Sequence, residues 1–364
     1  MKVVEISPYD LGSVGGVQAQ VSGLAQALRS LQCEVEILAP GNGEGVGASL
    51  GSVSRWRANG SVAPVTLFPR MNQISGVLEW ADVIHLHEPF APMAGVAILR
   101  WAYTHDALGR LWVTFHRDGV SAGYRRWAQW WAYLLPRSDH QIAVSPFAAR
   151  TAEIVAGVYP QQIPNGVALG DNLTHTQEEC ELSDGSAVGR SFAEYRVLFV
   201  GRHEERKGLE VALQALTSLE MAVRLIVVGS GPLTGALQAR YPDRRVDWLG
   251  RVDQATLTTL YRSVDVVVAP SLAGESFGVV LLEAMANGAV VIASDIPAYR
   301  WLSRQGSSAV LVPPRDADAL AMALHNVLTH PEFRDSLRRR AFEQVRSFAF
   351  DALAERYLQL FLAP

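Results

Sequence analysis

Residues 2–40, KVVEISPYDLGSVGGVQAQVSGLAQALRSLQCEVEILAP, decide the fold class. Residues 2–7 have the pattern of a β-strand, residues 16–31 carry apolar residues at helical spacing, and residues 34–40 again indicate a strand. A strand, a helix and a second strand in this order form a βαβ unit, in which the two strands lie parallel in one sheet.

The same alternation continues and predicts an α/β protein with two Rossmann-like, doubly wound parallel sheets facing a central cleft. At 364 residues the chain exceeds what one core normally supports. Residues 169–195 are acidic, rich in small residues and without a sustained period, as is typical of a linker. The expected domains are residues 1–168 and 196–346, and a terminal helix at about 347–364 is expected to return to the first domain.

Composition excludes several classes of protein. Apolar residues make up 49% of the chain and charged residues 19%, which is ordinary for a soluble globular protein, and no stretch has the length of a membrane span. The N-terminus lacks the apolar core of a signal peptide, so a cytoplasmic location is expected. The net charge of −4 argues against nucleic acid as a partner. Cys33 and Cys180 have no metal-ligand neighbours and are interpreted as inert thiols.

The turn after the first strand contains Gly15 and Gly16, whose backbone N–H groups can hold a phosphate at a helix N-terminus. A tight turn with no ligand is the alternative. A nicotinamide cofactor would need Gly-x-Gly-x-x-Gly and an acidic residue at the end of the second strand. That strand ends in Ala39 and Pro40, so an oxidoreductase is disfavoured.

A second loop, VGRHEERKG at residues 200–208, contains Lys207, one of only two lysines in the chain. Arg202 and Lys207 are five residues apart after a predicted strand, where both can converge on one anion. Two cations can neutralise a departing diphosphate without a metal ion. The alternative is a solvated loop in which the side chains of residues 204–207 pair with one another.

A third loop leads into the segment GESFGVVLLEAMANG, residues 274–288. We expect a helix to begin near Ser276 or Phe277, so that the N–H groups of residues 276–278 face an anion. Glu283 lies in that helix among apolar residues, where a carboxylate needs a partner. Either hydroxyls of a sugar or a protein group can fill this requirement.

Three histidines and two aspartates raise the question of a metal site. His85 and His87 share one face of a predicted strand, but no third ligand stands at a diagnostic spacing. His116 ends the next strand, where it contacts a ligand or caps the strand. Asp316 and Asp318 precede an apolar-periodic run and are predicted to cap a helix.

Aromatic residues mixed with arginines occupy residues 124–137, YRRWAQWWAYLLPR. The pattern suits a peripheral contact with a membrane, at the inner face of the plasma membrane. A core helix or an acceptor-site helix explains the same pattern equally well.

In their order and spacing, GGVQ, HEPFAP, TFH, IPNGV, GRHEERKG and GESFGVVLLEAMANG resemble the GT-B glycosyltransferases of retaining family 4 over almost the whole chain. Within that family the chain is most similar to the bacterial phosphatidylinositol mannosyltransferases, which share a segment like NGSVA at residues 59–63. The resemblance implies transfer of a hexose from a nucleotide sugar, GDP-mannose or a UDP-sugar such as UDP-glucose, to a lipid or another glycan acceptor, without cofactor or metal. A non-catalytic module that binds nucleotide sugars is the less favoured alternative.

The resemblance also implies site residues. By this resemblance the catalytic residues are His116, Arg202, Lys207 and Glu275. His116 would lie beside the transferred sugar, Arg202 and Lys207 would bind the diphosphate, and Glu275 would bind the sugar hydroxyls. The implied donor-binding set is Gly15, Gly16, Arg202, Lys207, Val252, Asp253, Glu275, Ser276, Phe277, Gly278 and Glu283. The implied acceptor-binding set is Tyr9, Gln18, Asn59 and His116.

Two positions depart from the mannosyltransferase pattern. Ala58 stands where that group has a tyrosine, and Pro64 where it has an arginine. Both family residues serve the inositol phosphate acceptor, so the acceptor is left open. The lysine-rich membrane-docking helix of the group has no counterpart either, because residues 70–82 are nearly uncharged.

Overall fold

The computed structural model describes residues 1–13, 15–43, 45–58, 61–91, 93–170 and 194–363. Cys180 and most of the predicted linker lie outside these residues, whereas Cys33 is a buried free thiol. The chain divides into two compact units, one formed by Met1–Val167 with Phe348–Pro364 and the other by Ala168–Ser347.

The first unit is built on a parallel sheet of seven strands in the order β3-β2-β1-β6-β7-β8-β9. Its strands, including an antiparallel hairpin of β4 and β5, are β1 (Lys2–Ile6), β2 (Glu34–Ala39), β3 (Ala48–Ser49), β4 (Ser54–Ala58), β5 (Ser61–Val65), β6 (Val83–His87), β7 (Leu111–Phe115), β8 (Gln141–Ala143) and β9 (Gln161–Gln162). Its helices in this part of the chain are α1 (Gly16–Ser30), α2 (Met71–Trp80), α3 (Ala94–Thr104), α4 (Ala122–Trp131) and α5 (Pro146–Ala156). Short 3-10 turns lie at Leu108–Arg110, Ala132–Leu134 and Ser138–His140.

The second unit is built on a parallel sheet of six strands in the order β12-β11-β10-β13-β14-β15. Its strands are β10 (Tyr195–Val200), β11 (Val223–Val228), β12 (Val246–Gly250), β13 (Val266–Ala269), β14 (Val290–Ser294) and β15 (Val310–Val312). Its helices are α6 (Leu209–Thr217), α7 (Thr234–Arg240), α8 (Gln254–Ser263), α9 (Val279–Ala286), α10 (Pro297–Leu302), α11 (Ala317–Thr329) and α12 (Pro331–Val345), with 3-10 turns at Glu205–Lys207 and Arg346–Phe348.

In both sheets the first strand of the unit lies in the middle and the chain winds outward in both directions. Adjacent parallel strands pair in register, as Glu5 does with His85 across β1 and β6. Because crossover helices cover both faces of such a sheet, its central strands are buried and mostly apolar. The predicted pair of doubly wound parallel sheets is confirmed, while the hairpin was not predicted.

Local signals in the sequence explain several helix ends. Ser145 accepts a hydrogen bond from the backbone N–H of Ala148 and Pro146 occupies the first turn, so α5 starts where β8 ends. Asp316 accepts a hydrogen bond from the N–H of Ala319, which confirms the predicted cap of α11. None of the helices in the described ranges combines the length and apolar character needed to span a bilayer.

The last helix, α13 (Phe350–Phe361), packs on α1 of the first unit. Leu353, Ala354, Tyr357 and Phe361 join the core that α1 and β1 form, because these four residues make one apolar stripe at helical spacing. The C-terminus of the chain therefore completes the core that its N-terminus begins.

Candidate active site

The carboxyl ends of β10 and β13, neighbours in the second sheet, bring two loops together. Lys207 in the first loop donates from Nζ to Oε1 of Glu275 in the second, over 2.7 Å. The same oxygen accepts from Nη1 of Arg206 at 3.1 Å and from the hydroxyl of Ser271 at 3.2 Å. Parallel pairing explains the contact, since it places residues that are 68 positions apart at one edge of the sheet.

Arg202 and Lys207 are linked through Arg206 rather than in direct contact. Nη1 of Arg202 lies 3.2 Å from Oε1 of Glu204, and Nε of Arg206 lies 3.3 Å from Oε2 of the same carboxylate. Arg206 thus bridges Glu204 and Glu275. Three cations and two carboxylates form one row with a net positive charge, which suits a dianionic ligand.

The two loops are tied together by their backbones. The N–H of Leu272 donates to the carbonyl of Arg206 at 2.7 Å. Gly208, directly after Lys207, has φ +70°, and a Cβ there would stand 1.9 Å from the carbonyl oxygen of Pro270. Only glycine accommodates both this conformation and this approach, so the dipeptide of Lys207 and Gly208 fixes the ammonium against the second loop.

The helix after Glu275 begins later than predicted. Its first residue is Val279, and Gly278 before it has φ +106°, a left-handed conformation that cannot belong to a right-handed helix. The N–H groups of Ser276 and Phe277 therefore lie in the loop and not in the first helical turn. Phe277 is buried, with its ring 5.7 Å from that of Trp301.

Glu283 has a protein partner in α8. The hydroxyl of Tyr261 donates to its Oε2 at 3.0 Å. Burial raises the pKa of Glu283 to about 7, although the hydrogen bond from Tyr261 opposes this shift. This carboxyl group therefore changes its charge near neutral pH, and its ability to accept a hydrogen bond from a hydroxyl changes with it.

Val252 and Asp253 follow β12 at the same edge of the sheet. The carboxylate of Asp253 accepts a hydrogen bond from the N–H of Thr256 at 2.7 Å and caps α8. This is a structural role that does not depend on any ligand, and the carbonyl of Asp253 likewise accepts a helical hydrogen bond from the N–H of Leu257 at 3.0 Å.

The glycine turn of the first unit leads into α1, which begins at Gly16 with Gly15 as its N-cap. Gly15 has no side chain that could cap this N-terminus, and a helix N-terminus of this kind suits an anion. Gln18 donates from Nε2 to the hydroxyl of Ser13 at 3.0 Å and to the carbonyl of Asp10 at 3.4 Å. These bonds hold the turn against the helix.

Tyr9 lies beside this turn and forms an isolated antiparallel bridge with Val65 at the end of the hairpin. Burial raises the pKa of its hydroxyl, and the nearby carboxylate of Glu88 raises it further. Tyr9 therefore stays a neutral donor. Asn59, expected on the acceptor side, lies outside the described residues.

The three histidines meet a carboxylate that the sequence reading missed. Glu5 of β1 is fully buried, and its Oε2 lies 2.9 Å from Nδ1 of His85 and 2.9 Å from Nε2 of His87. Nδ1 of His87 lies 2.8 Å from Nε2 of His116. His85 and His87 lie on one face of β6, as predicted, because both contact the carboxylate of Glu5. An acidic residue inside an apolar strand was the signal for Glu5, because a buried carboxylate requires partners.

His116 is further fixed through its main chain. Its backbone N–H donates to Oε1 of the buried Glu88 at 2.5 Å. Burial, together with the neighbouring His87 and His85, holds the pKa of the His116 imidazole well below its usual value. The ring is therefore neutral near pH 7 and takes part in hydrogen bonds as an uncharged group.

Comparisons with known proteins match the chain in both units. A profile described as glycosyl transferases group 1 matches residues 194–330, and a profile of glycosyltransferase family 4 matches residues 14–170. A phosphatidyl-myo-inositol mannosyltransferase from Mycobacterium leprae is 34% identical over 383 positions, covering 99% of this chain and 96% of the relative. One from Mycolicibacterium smegmatis is 34% identical over 380 positions, covering 99% and 93%.

Solved structures share the fold. The sucrose-phosphate synthase of Thermosynechococcus elongatus superposes with a TM-score of 0.72 at 23% identity, covering 99% of this chain and 98% of that one. Anabaena HepE, in complex with UDP-glucose, superposes with a TM-score of 0.74 at 18% identity and the same coverage. At these identities the likeness concerns the architecture of the chain alone, and that architecture is GT-B.

Proposed function

Because this chain belongs to glycosyltransferase family 4 and is a glycosyltransferase, we propose that it moves mannose from GDP-mannose to phosphatidylinositol. The names of its relatives, at 34% identity over nearly the whole chain, support mannose as the transferred sugar and phosphatidylinositol as the acceptor. The observation that carries the proposal is the row of cations joined to Glu275 at the ends of β10 and β13.

Departure of GDP leaves a diphosphate that gains negative charge as the bond to the sugar breaks. The planar guanidinium of Arg202 and the compact ammonium of Lys207 can both bind this diphosphate. These two cations can therefore neutralise the charge that a divalent metal ion neutralises in other enzymes. Lys207 now pairs with Glu275 at 2.7 Å, and a bound phosphate would share that ammonium. We propose that transfer retains the configuration of the sugar and requires no metal.

The remaining donor contacts are assigned on the same basis. Glu275 would accept hydrogen bonds from the sugar hydroxyls while Arg206 and Ser271 hold its carboxylate in place. Glu283 would accept a hydrogen bond from a hydroxyl of the ribose. A buried carboxylate has a high free-energy cost, and a hydrogen bond from such a donor offsets part of it. Backbone N–H groups of residues 276–278 and the start of α1 would take phosphate oxygens.

His116 is proposed to contact the transferred hexose, and Tyr9 and Gln18 are assigned to the acceptor side. Tyr9, held neutral by burial, offers a hydroxyl donor rather than a charge. The Gln18 side chain is already held by hydrogen bonds to Ser13 and Asp10, and the backbone of Tyr9 is held by its bridge to Val65.

A different acceptor, used with GDP-mannose or with a UDP-sugar, is the second candidate. Pro64 stands where the phosphatidylinositol mannosyltransferases have an arginine, and proline offers no cation for an inositol phosphate. A glucosyl or other hexosyl transferase acting on another lipid or a soluble acceptor would fit this substitution.

Contact with a membrane surface is proposed through α4 and the residues after it. Trp130 and Tyr133 are 71% and 65% exposed, and Arg125 and Arg126 are exposed beside them. On the inner side Trp127 donates from its indole to the carbonyl of Phe90 at 3.2 Å. The segment thus packs on the domain by one side and offers aromatic rings and positive charge on the other, as interfacial helices do.

A screen by mass spectrometry tests donor and acceptor together. Purified protein is mixed with GDP-mannose, UDP-glucose and other nucleotide sugars in turn, each with a membrane lipid extract. The expected product is phosphatidylinositol with one added hexose, formed with GDP-mannose and in the presence of a metal chelator. Transfer from a UDP-sugar to another lipid would support the second candidate, and no transfer from any donor would refute a lipid acceptor.

A further inference from the structure

Four side chains form a cluster at the edge of the first sheet where β1, β6 and β7 end. They are Tyr9 after β1, Glu88 after β6, Arg117 after β7 and Tyr124 in the first turn of α4. The three strands are neighbours in the sheet, so the segments that follow them lie close together. Glu88 is buried, whereas Arg117 and both tyrosines are partly exposed and can meet a ligand.

Glu88 fixes the position of Arg117. Its backbone has φ +50°, a left-handed conformation that is uncommon outside glycine, and its N–H donates to the carbonyl of Thr114 at 2.8 Å. Its carboxylate accepts from the backbone N–H of His116 at 2.5 Å and from that of Arg117. Glu88 is thus committed to the main chain of the turn after β7. Backbone strain of this kind is concentrated in the binding sites of proteins.

The guanidinium of Arg117 keeps donors that no protein group uses. Its carbon lies 4.1 Å from the centre of the Tyr124 ring, and its Nε donates to the carbonyl of Gly119 at 3.0 Å. In the part of the chain that the structure describes, no acceptor bonds to its Nη groups and no carboxylate lies at ion-pair distance from them. Stacking on the ring therefore orients a cation whose outer N–H groups remain available.

The two tyrosines add neutral donors to this cation. Neither hydroxyl has a hydrogen-bond partner among the described residues. Burial raises the pKa of both hydroxyls, Glu88 raises it further, and Arg117 opposes the rise. Both groups therefore stay protonated at neutral pH and can donate. One guanidinium with two hydroxyls suits a ligand group that combines negative charge with several acceptor oxygens, as a phosphate does.

The cluster adjoins the position where the mannosyltransferase pattern has an arginine and this chain has Pro64. The N–H of Asp10 donates to the carbonyl of Pro64 at 3.0 Å. Tyr9, the residue before Asp10, forms its bridge with Val65. Arg117 approaches the same neighbourhood from the other side, because β1 and β7 both flank β6.

We propose that Arg117, together with Tyr9 and Tyr124, binds a phosphate group of the acceptor and so supplies the cation that Pro64 does not. This inference rests on the proposed function, since it concerns the acceptor of that transfer. It deepens that function, because the site then selects an acceptor that carries a phosphodiester, as phosphatidylinositol does, over an uncharged polyol.

A structural counter-charge for the buried Glu88 is the competing explanation of Arg117. A structural role predicts that replacement of Arg117 lowers stability and weakens every substrate alike. A phosphate contact predicts an effect that is confined to ligands with the phosphate. The experiments therefore compare ligands that differ in this group, on the full chain.

Binding is measured without turnover, by NMR titration with glycerophosphoinositol and, separately, with myo-inositol. Arg117→Gln should weaken the binding of glycerophosphoinositol by roughly 10–100-fold, the range for one hydrogen bond to a charged group, and should leave that of myo-inositol unchanged. Equal loss for both ligands, or loss for neither, would overturn the proposal. Inorganic phosphate is the third ligand, and binding as tight as that of glycerophosphoinositol would assign the site to free phosphate instead of the acceptor.

Kinetics give a second readout, with transfer from GDP-mannose to phosphatidylinositol in detergent micelles. Arg117→Gln should raise the KM for phosphatidylinositol by a similar factor and leave both the KM for GDP-mannose and the melting temperature unchanged. A rise in both KM values would show a structural role and refute the phosphate contact.

Arg150→Gln is the matched control, because Arg150 is an exposed arginine on α5 of the same unit and should leave every measurement unchanged. Arg117→Lys keeps the charge but not the planar guanidinium, and should lose less affinity than Arg117→Gln. If Arg117→Gln does not fold, Tyr124→Phe, which keeps the ring and removes the hydroxyl, should still weaken glycerophosphoinositol selectively. Binding of glycerophosphoinositol that depends on Arg117, in a protein that transfers nothing to phosphatidylinositol, would support the site and count against the proposed function alone.

Discussion

Replacement of Lys207 by alanine separates catalysis from stability at the proposed diphosphate site. In the folded protein Glu275 loses its bond to Nζ, 2.7 Å long, but keeps Arg206 at 3.1 Å and Ser271 at 3.2 Å. The carboxylate is therefore not left unpaired, and the cost in free energy of unfolding is about 1 kcal/mol. In a unit of this size the melting temperature should fall by about 2–4 °C.

The expected effect on the reaction is far larger. A preorganised positive group that meets charge developing in the transition state contributes about 2.7–4 kcal/mol, which corresponds to roughly 10²–10³-fold in kcat. Because Arg202 remains, some transfer should persist. The assay is transfer of radiolabelled mannose from GDP-mannose to lipid, followed at saturating donor, with thermal unfolding of the same preparations.

The chain offers a matched control in its other lysine. The ammonium of Lys2 lies 5.4 Å from the ring centre of Trp80, and Lys2→Ala should leave kcat unchanged. The reasoning is refuted if Lys207→Ala retains kcat within about threefold of wild type. It is equally refuted if the melting temperature falls by more than about 10 °C, because the loss of activity would then be structural.

Three further predictions concern Glu283, Gly208 and the exposed aromatic residues of α4 and the turn after it. Burial raises the pKa of Glu283 from 4.5 in the unfolded chain to about 7 in the folded protein. The protonated group therefore contributes up to about 3 kcal/mol to the free energy of unfolding below pH 4.5, and this contribution is lost as the pH rises through 7. Glu283→Gln should abolish this pH dependence in unfolding measured from about pH 4.5 to 8. Gly208→Ala would bring a Cβ within 1.9 Å of the carbonyl oxygen of Pro270. We expect the free energy of unfolding, measured by chemical denaturation, to fall by at least about 2 kcal/mol. An alanine substitution at an exposed helical site serves as the reference. The double change Trp130→Ala and Tyr133→Ala removes two exposed aromatic rings and should reduce sedimentation with vesicles of phosphatidylcholine and phosphatidylglycerol by about tenfold. Transfer to a detergent-solubilised lipid should stay intact. Unchanged sedimentation would contradict the membrane contact.

Periodicity in the sequence was enough to predict both sheets, because alternating strands and helices leave little choice of topology. The right-handed crossover places each helix on the sheet and each loop at one edge. The predicted cap at Asp316 needed only local information, since it bonds to an N–H three residues on. The start of α9 was misjudged because the left-handed conformation of Gly278 is set by packing, with the ring of Tyr299 where a Cβ would stand.

The loop of Lys207 was identified from residue types, but its partners were not. Within the sequence the nearest carboxylates are Glu204 and Glu205, and pairing inside the loop was a reasonable alternative. In the structure Glu204 binds Arg202 and Arg206, Glu205 lies 3.8 Å from Arg315, and Lys207 turns to Glu275. The deciding interaction is non-local, because it depends on β10 lying next to β13.

The sequence by itself determined the fold class, the family and the chemical character of each loop, since these depend on residue types and their spacing along the chain. Only the tertiary structure decided which charges meet. Glu5 and His87 are 82 positions apart and Lys207 and Glu275 are 68 apart, yet each pair is in hydrogen-bond contact. The physical reason is that parallel strands gather distant residues at one place in a sheet, where burial makes each charged group depend on its partners.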